Sequence, residues 1–299
     1  MNKNELKKFV EENPKLVSMR PAGDGIFVLK YKKAVFFDNL WNDFLEECRG
    51  TIVDAEFNIV SRPFTKIYNY GIEAKAPVLE DRTVVTSYRK VNGFMVAVTV
   101  HNGELLVSTT GSTDNDYVGY AKEMMATHSP LTDWLVAFNM NDTKDMTFMF
   151  ECVHPSDPHI IPEKCGMYLL GYREKSWDSK VGHNSDVMRD LASDLKCFLP
   201  ERIHITMLEL KEEAKKCKHE GFVFYTDEGV SAKIKSPYYL TKKWVARNPR
   251  TDKLMTDSFR EQLDEEYYPL IDAIQQNIEM YTALDEQQRL EWVRTFLEK

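Results

Sequence analysis

Tyr88-Arg89-Lys90-Val91-Asn92-Gly93-Phe94-Met95 is the stretch from which the rest of the chain is read. Lys90 closes an apolar, β-rich run, Val84-Val85-Thr86-Ser87-Tyr88, and Gly93 permits a tight turn before a second β run from Phe94 to Val100. This order holds one ammonium group at the mouth of a sheet, where the glycine lets a ligand approach the backbone closely. The same four residues, Lys90 to Gly93, also fit an ordinary surface turn. Their weight comes from the stretches on either side.

Working outward, Phe94 to Val100 and Glu104 to Thr109 flank His101-Asn102-Gly103, a hairpin signal because Asn-Gly suits the primed turns. Upstream, a helical pattern covers Asn4 to Glu12, a β run covers Ile26 to Tyr31, and Phe36 to Trp41 opens an irregular segment leading to Glu47-Cys48-Arg49-Gly50. Thr51 to Arg62 reads strand, turn, strand around Asp54-Ala55-Glu56, and Arg62-Pro63-Phe64-Thr65-Lys66-Ile67-Tyr68-Asn69 reads as an ordered loop. Downstream, helices are expected over Asp116 to Thr127, Leu131 to Phe138, Ser185 to Lys196 and Met207 to Lys216, with strands over Met146 to Val153 and Met167 to Tyr172. Beyond Tyr239, Gln, Glu, Leu and Tyr at helical spacing run to Lys299, so a boundary is placed near Arg247-Asn248-Pro249: a main domain 1–246 and a small helical module 247–299.

A second hairpin pairs Phe222 to Thr226 with Val230 to Lys235 around Asp227-Glu228-Gly229. Strand alternation puts Lys233 and Lys235 on one face, where two ammonium groups are poor core material unless an anion lies between them. The register sets Lys235 opposite Gly221, leaving room for a ligand, and Lys233 opposite Val223. An edge strand protected by lysines fits the pattern equally. Glu220 and Glu151 stand near sheet ends, suited to a divalent ion or a ribose hydroxyl, or simply solvated.

The 299 residues suit one large domain or a large one plus a small one, and an apolar share of 43% excludes a disordered chain. No apolar run approaches a membrane span, and Met1 to Lys8 lacks the apolar centre of a signal peptide, so a cytoplasmic location is expected (host cytoplasm for a viral source). Cys48, Cys152, Cys165, Cys197 and Cys217 show no paired spacing and read as free thiols. His154, His159 and His183 read as surface residues, not metal ligands. The formal net charge of −8 argues against general coating of nucleic acid, but not against gripping one end through a local basic patch.

Taken in order, these pieces resemble the covalent nucleotidyltransferases, which include ATP-dependent polynucleotide ligases and capping enzymes. Lys90-Val91-Asn92-Gly93 resembles their nucleotidyl-lysine motif. Phe150-Glu151 resembles the third motif and Tyr168-Leu169-Leu170-Gly171-Tyr172 the strand after it. Glu220-Gly221-Phe222-Val223 resembles the fourth motif and Lys233-Ile234-Lys235 the fifth. Glu47-Cys48-Arg49-Gly50, Ser61-Arg62-Pro63 with Lys66, and Lys233-Ile234-Lys235-Ser236 with Tyr239 are similar to the T-even phage tRNA-repair type of RNA ligase. Asn92 and the Ser108-Thr109-Thr110-Gly111 segment depart from that branch, which often has an acid and a lysine there.

The resemblance implies an α+β fold: a nucleotidyltransferase (ATP-grasp-like ligase) domain of antiparallel sheets flanked by helices, followed by the helical module. It implies that Lys90 attacks the α-phosphorus of ATP to form a lysyl-adenylate. Lys233 and Lys235 would assist catalysis and disfavour the charged form of the amine. Arg49, Lys66, Tyr68, Asn92, Gly93, Glu151, Tyr168, Glu220, Gly221 and Tyr239 would bind the nucleotide. Glu220 and Glu151 would serve Mg2+ or Mn2+. AMP would then pass to an RNA 5′-phosphate, and a 3′-hydroxyl would displace it, with single-stranded or broken RNA, tRNA included, as substrate and a monomer as the working form. A DNA-joining ligase or a non-catalytic nucleotide- or RNA-end-binding module on the same fold are the alternatives. The helical reading after the fifth motif speaks against the barrel that DNA ligases and capping enzymes carry there.

Overall fold

The hairpins anticipated from turn residues form as expected. Asn102 takes a left-handed φ of 52° between β6 (Phe94–His101) and β7 (Glu104–Ser108), as a primed turn requires. A computed structural model of the protein describes residues 1–140, 143–183, 185–247 and 263–298. The fold is α+β, with antiparallel sheets flanked by helices and a C-terminal helical segment. Chain contacts divide it into two units, each assembled from separate stretches. One holds Met1–Lys66, Gly93–Pro158 and Glu163–Pro200, and the other Ile67–Asn92, His159–Pro162 and Glu201–Lys299. The boundary expected after residue 246 abuts 248–262, which lie outside the described residues.

The first unit carries two four-stranded sheets. One is ordered β1-β2-β3-β4, from β1 (Val17–Pro21), β2 (Ile26–Tyr31), β3 (Arg49–Asp54) and β4 (Ile59–Ser61). The other is ordered β7-β6-β8-β9, with β8 (Met146–Val153) and β9 (Gly166–Glu174). Helices over Asp116–His128, Leu131–Phe138 and Ser185–Asp194 cover the second sheet. Val96, Val98, Phe148, Phe150 and Leu169 meet Met125, Trp134, Phe138 and Leu191 there in one apolar core. Glu47 is buried between Arg62 (2.5 Å) and Arg173 (3.2 Å), a triad that ties the start of β3 to the segment after β4 and to β9.

The second unit carries a sheet ordered β10-β5-β11-β12, built from β5 (Val84–Arg89), β10 (Arg202–Thr206), β11 (Gly221–Tyr225) and β12 (Ser231–Lys235). Helix α7 (Met207–Lys216) starts with a reciprocal cap between Thr206 and Glu209 and lays Met207, Leu210 and Ala214 on Val85, Phe222 and Phe224. A separate apolar cluster joins α8 (Pro237–Arg247) to the closing helices over Tyr268–Gln276, Ile278–Ala283 and Glu286–Leu297, through Tyr239, Trp244, Leu270, Ile274 and Val293. Among the described residues, no helix is long and apolar enough to cross a membrane.

Candidate active site

Lys90 extends the β5 ladder by one step, its backbone N–H donating to the Gly221 carbonyl at 2.8 Å. That register aims the ammonium at the residue before Gly221: Lys90 Nζ lies 3.0 Å from Glu220 Oε1. The other oxygen, Oε2, accepts from Asn92 Nδ2 at 2.7 Å, and Asn92 Oδ1 accepts from the Ile161 N–H at 3.0 Å. Asn92 is therefore a fixed strut, donating to the carboxylate as an acid in its place could not when ionised. Glu220 is 3% exposed. Burial pushes its carboxyl up, but the Lys90 and Lys235 charges and the Lys90 and Asn92 hydrogen bonds outweigh burial and hold it below the usual carboxylate range.

The hairpin register is the one read from the sequence: Gly221 pairs with Lys235 and Val223 with Lys233. The outer side of β12 is not an open edge. Lys233 N–H donates to the Tyr68 carbonyl at 2.9 Å and Tyr70 N–H to the Lys233 carbonyl at 2.9 Å, so the strip around Asn69 covers it. Edge protection therefore does not explain these lysines.

A carboxylate outside every motif engages them. Glu266, 5% exposed, pairs with Lys235 and, at 3.2 Å, with Lys243, which also bonds Asp264. Burial works against the ammonium of Lys235, yet Glu266 foremost, with Glu220 and Tyr239, keeps its pKa above the ordinary lysine value. The Tyr239 ring lies 5.6 Å from both Lys235 Nζ and Lys243 Nζ, and burial first, then the Glu220 charge, pushes its hydroxyl up to about 12. The ion-pair partner of the Lys90 amine is the Glu220 carboxylate, and Lys235 is engaged by Glu266.

Two glycines also need a different account. A Cβ on Gly221, at φ +134°, would lie 2.0 Å from the Ile234 carbonyl oxygen. One on Gly93 would lie 2.4 Å from the Cys152 carbonyl oxygen. The room each glycine leaves is taken by a neighbouring strand, not kept for a ligand.

In the first unit, Glu151 on β8 is buried, and its Oε1 accepts from the Gly93 N–H at 3.1 Å. Tyr168 packs on Phe198 with ring centroids 5.1 Å apart and donates its hydroxyl to the Lys164 carbonyl at 2.9 Å. Lys66 is buried with its ammonium 4.5 Å from the Trp41 ring and 5.4 Å from the Phe36 ring. Arg49 pairs with Lys30 across β3 and β2. Lys30 was not foreseen. It donates to Thr110 Oγ1 at 3.1 Å, within the segment that departs from the ligase pattern, and Arg20 donates to the Gly111 carbonyl at 3.4 Å. Among the described residues, no carboxylate pairs with Lys30, Arg20 or Arg49, and burial, then Arg49 and Arg20, bring Lys30 down to about 8. His154, expected at the surface, is buried, stacked on Tyr120 at 4.4 Å with Glu123 3.3 Å from its Nε2.

Among the described residues, no three His, Cys, Asp or Glu side chains gather as a metal cage. Glu220 alone still suits a hard divalent ion that draws its other oxygens from phosphate and water, because it is buried, ionised and facing the amine.

A lysine at the end of β5 seated on a buried carboxylate, with two further lysines on β12 beyond β11, is similar to the arrangement expected of a covalent nucleotidyltransferase. Residues 47–239 match the family described as RNA ligase, and the chain belongs to that family. RNA ligation is therefore its class of activity. Two structures described as form 1 and form 2 of an archaeal ATP-dependent RNA ligase share the fold, with TM-scores of 0.61 and 0.60, 14% identity, and coverage of 98% of this chain and 76% of theirs. A protein described as an ATP-dependent DNA ligase from Aquifex aeolicus is similar too, with a TM-score of 0.55, 17% identity, and coverage of 97% of this chain and 77% of that one. No curated protein matches the chain.

Proposed function

We propose that the chain is an ATP-dependent RNA ligase that joins a 5′-phosphate to a 3′-hydroxyl through AMP carried on Lys90. The observation that supports this most is the Lys90–Glu220–Asn92 set, which fixes one amine at the end of β5 within a chain of the RNA ligase family.

Once neutral, the Lys90 amine attacks the α-phosphorus of ATP; the N–P bond forms and the bond to pyrophosphate breaks. Lys235, kept protonated by Glu266, and Lys233 offset the charge that develops on the phosphate oxygens. Mg2+ or Mn2+ at Glu220 would draw the carboxylate away from the ammonium and neutralise phosphate charge. Tyr239 and Tyr68 would pack by the nucleotide, Glu151 would accept a ribose hydroxyl, and Arg49 and Lys66, with Lys30, would hold phosphates. The RNA 5′-phosphate next attacks the lysyl-AMP phosphorus and frees the amine. The 3′-hydroxyl then attacks the 5′-phosphate and releases AMP.

Incubation with α-labelled ATP and magnesium is expected to leave label on the protein that survives alkali and is released by acid, as an N–P bond requires, with one pyrophosphate released per adduct. Absence of label under conditions where ATP binds would favour the non-catalytic module instead. Lys30 adds a pH signature. It grips phosphate only while protonated, and it loses its proton as pH rises through about 8. The KM for ATP is expected to climb above that pH. Lys30→Gln should raise KM at neutral pH and flatten the climb, and an unchanged profile in that variant would remove Lys30 from the phosphate site.

A further inference from the structure

The second unit contains a cavity of about 690 Å³ where the end of α7, helix α8 and the closing helix over Glu286–Leu297 come together. Lys215, Lys216, Lys218, Lys242 and Arg294 line it, opposed by the single lining carboxylate of Glu298. This is a local excess of positive charge in a chain whose formal net charge is −8. Part of it has an ordinary explanation. Lys215 and Lys216 occupy the last turn of α7, where cations offset the helix dipole, and Arg294 pairs with Glu291 at 2.6 Å. Lys218 and Lys242 have no such explanation. They come from different elements, are exposed, and form no ion pair among the described residues. Tyr238 adds an exposed ring, 4.7 Å from Lys242 Nζ. The Thr241 hydroxyl, also in the lining, has no hydrogen-bond partner among the described residues.

Cations converging from separate elements around an accessible aromatic ring are what a single-stranded nucleic acid needs: charge for the phosphates and a flat face for a base. The groove also adjoins the proposed catalytic residues along the chain, since Lys218 lies two residues before Glu220 and Tyr238 three after Lys235. We propose that this groove binds single-stranded RNA, with Lys215, Lys218, Lys242 and Arg294 on backbone phosphates and Tyr238 stacked on a base. The inference rests on the RNA ligase reading and names the surface that holds its RNA.

The test is fluorescence anisotropy of a labelled, 5′-phosphorylated single-stranded RNA across a salt series, with the rate of AMP-adduct formation measured in parallel. Lys215→Ala/Lys218→Ala/Lys242→Ala is expected to weaken RNA binding by more than about tenfold and to flatten the log–log salt slope by about 2, roughly 0.7 for each phosphate no longer neutralised. Tyr238→Ala should weaken binding about tenfold with the slope unchanged. Both variants should form the adduct at the parental rate, which also reports an intact fold. Lys8→Ala/Lys15→Ala/Lys33→Ala, which removes equal charge in the first unit, should bind RNA as the parent does. Parental affinity and slope in the groove variants would overturn the assignment, as would an equal loss in the control variant. If the parent binds RNA but forms no adduct, the nucleotidyl-transfer reading fails and the groove result stands.

Discussion

Lys90→Arg is expected to form no AMP adduct at all while keeping the fold of the parent. The guanidinium can still reach Glu220, so the buried carboxylate retains a cation in place of the ammonium 3.0 Å away. It cannot act as a nucleophile, because arginine stays protonated at any working pH. Lys90→Ala should be equally inactive but less stable. It removes the strongest of the charges that hold the Glu220 carboxyl low, and Asn92 and Lys235 remain to compensate. Comparing the two variants separates the chemistry of the amine from its structural duty. RNA supplied with a preformed 5′-adenylate bypasses the amine, so Lys90→Arg should still seal it. Label on the Lys90→Arg protein, located by mass spectrometry, would place the nucleophile elsewhere.

What was legible in the sequence was local. Asn-Gly fixed one hairpin, and the Asp227-Glu228-Gly229 loop fixed the register of the other, which brought Lys235 opposite Gly221 without any tertiary information. The strands β1 and β10 went unread because their side chains are largely exposed and leave no alternating apolar signal. The helix over Lys33–Phe37 also escaped, being one short turn with no side-chain cap to announce it. In the site, the lysines could be read from motif order but their partners could not. Glu266 lies 31 residues beyond Lys235, in a segment whose spacing shows only helix. Lys30 lies 80 residues before Thr110, on a strand that reads as ordinary core. A side-chain contact across such separations leaves no trace in spacing. The glycines were misread for a related reason: a missing Cβ signals a close approach, but not whether strand or ligand makes it.

Glu266→Gln is expected to be the most destabilising single change in the second unit. The substitution keeps the shape and removes the charge that Lys235 and Lys243 share in a buried setting. Breaking a buried pair on one side costs about 3–5 kcal/mol, because the remaining ions lose compensation and stay desolvated. Chemical denaturation should show that loss as a lower midpoint with an unchanged slope. The pH dependence follows from the two shifts. The Glu266 pKa is depressed, burial opposing and Lys235 foremost lowering it, so its contribution is complete above the unfolded carboxyl value of about 4.3 and fades as pH falls through the lower folded one. The Lys235 pKa is raised, so its share is complete below the unfolded value of about 10.4 and fades as pH climbs through the folded one. The parent-minus-variant difference should therefore be flat between those limits and shrink outside them. If Lys235 meets the phosphate from this pairing, as proposed, the variant should also slow adduct formation through kcat, with KM for ATP changed little. A variant as stable as the parent across that range would show that Glu266 is not the counterion that keeps Lys235 charged.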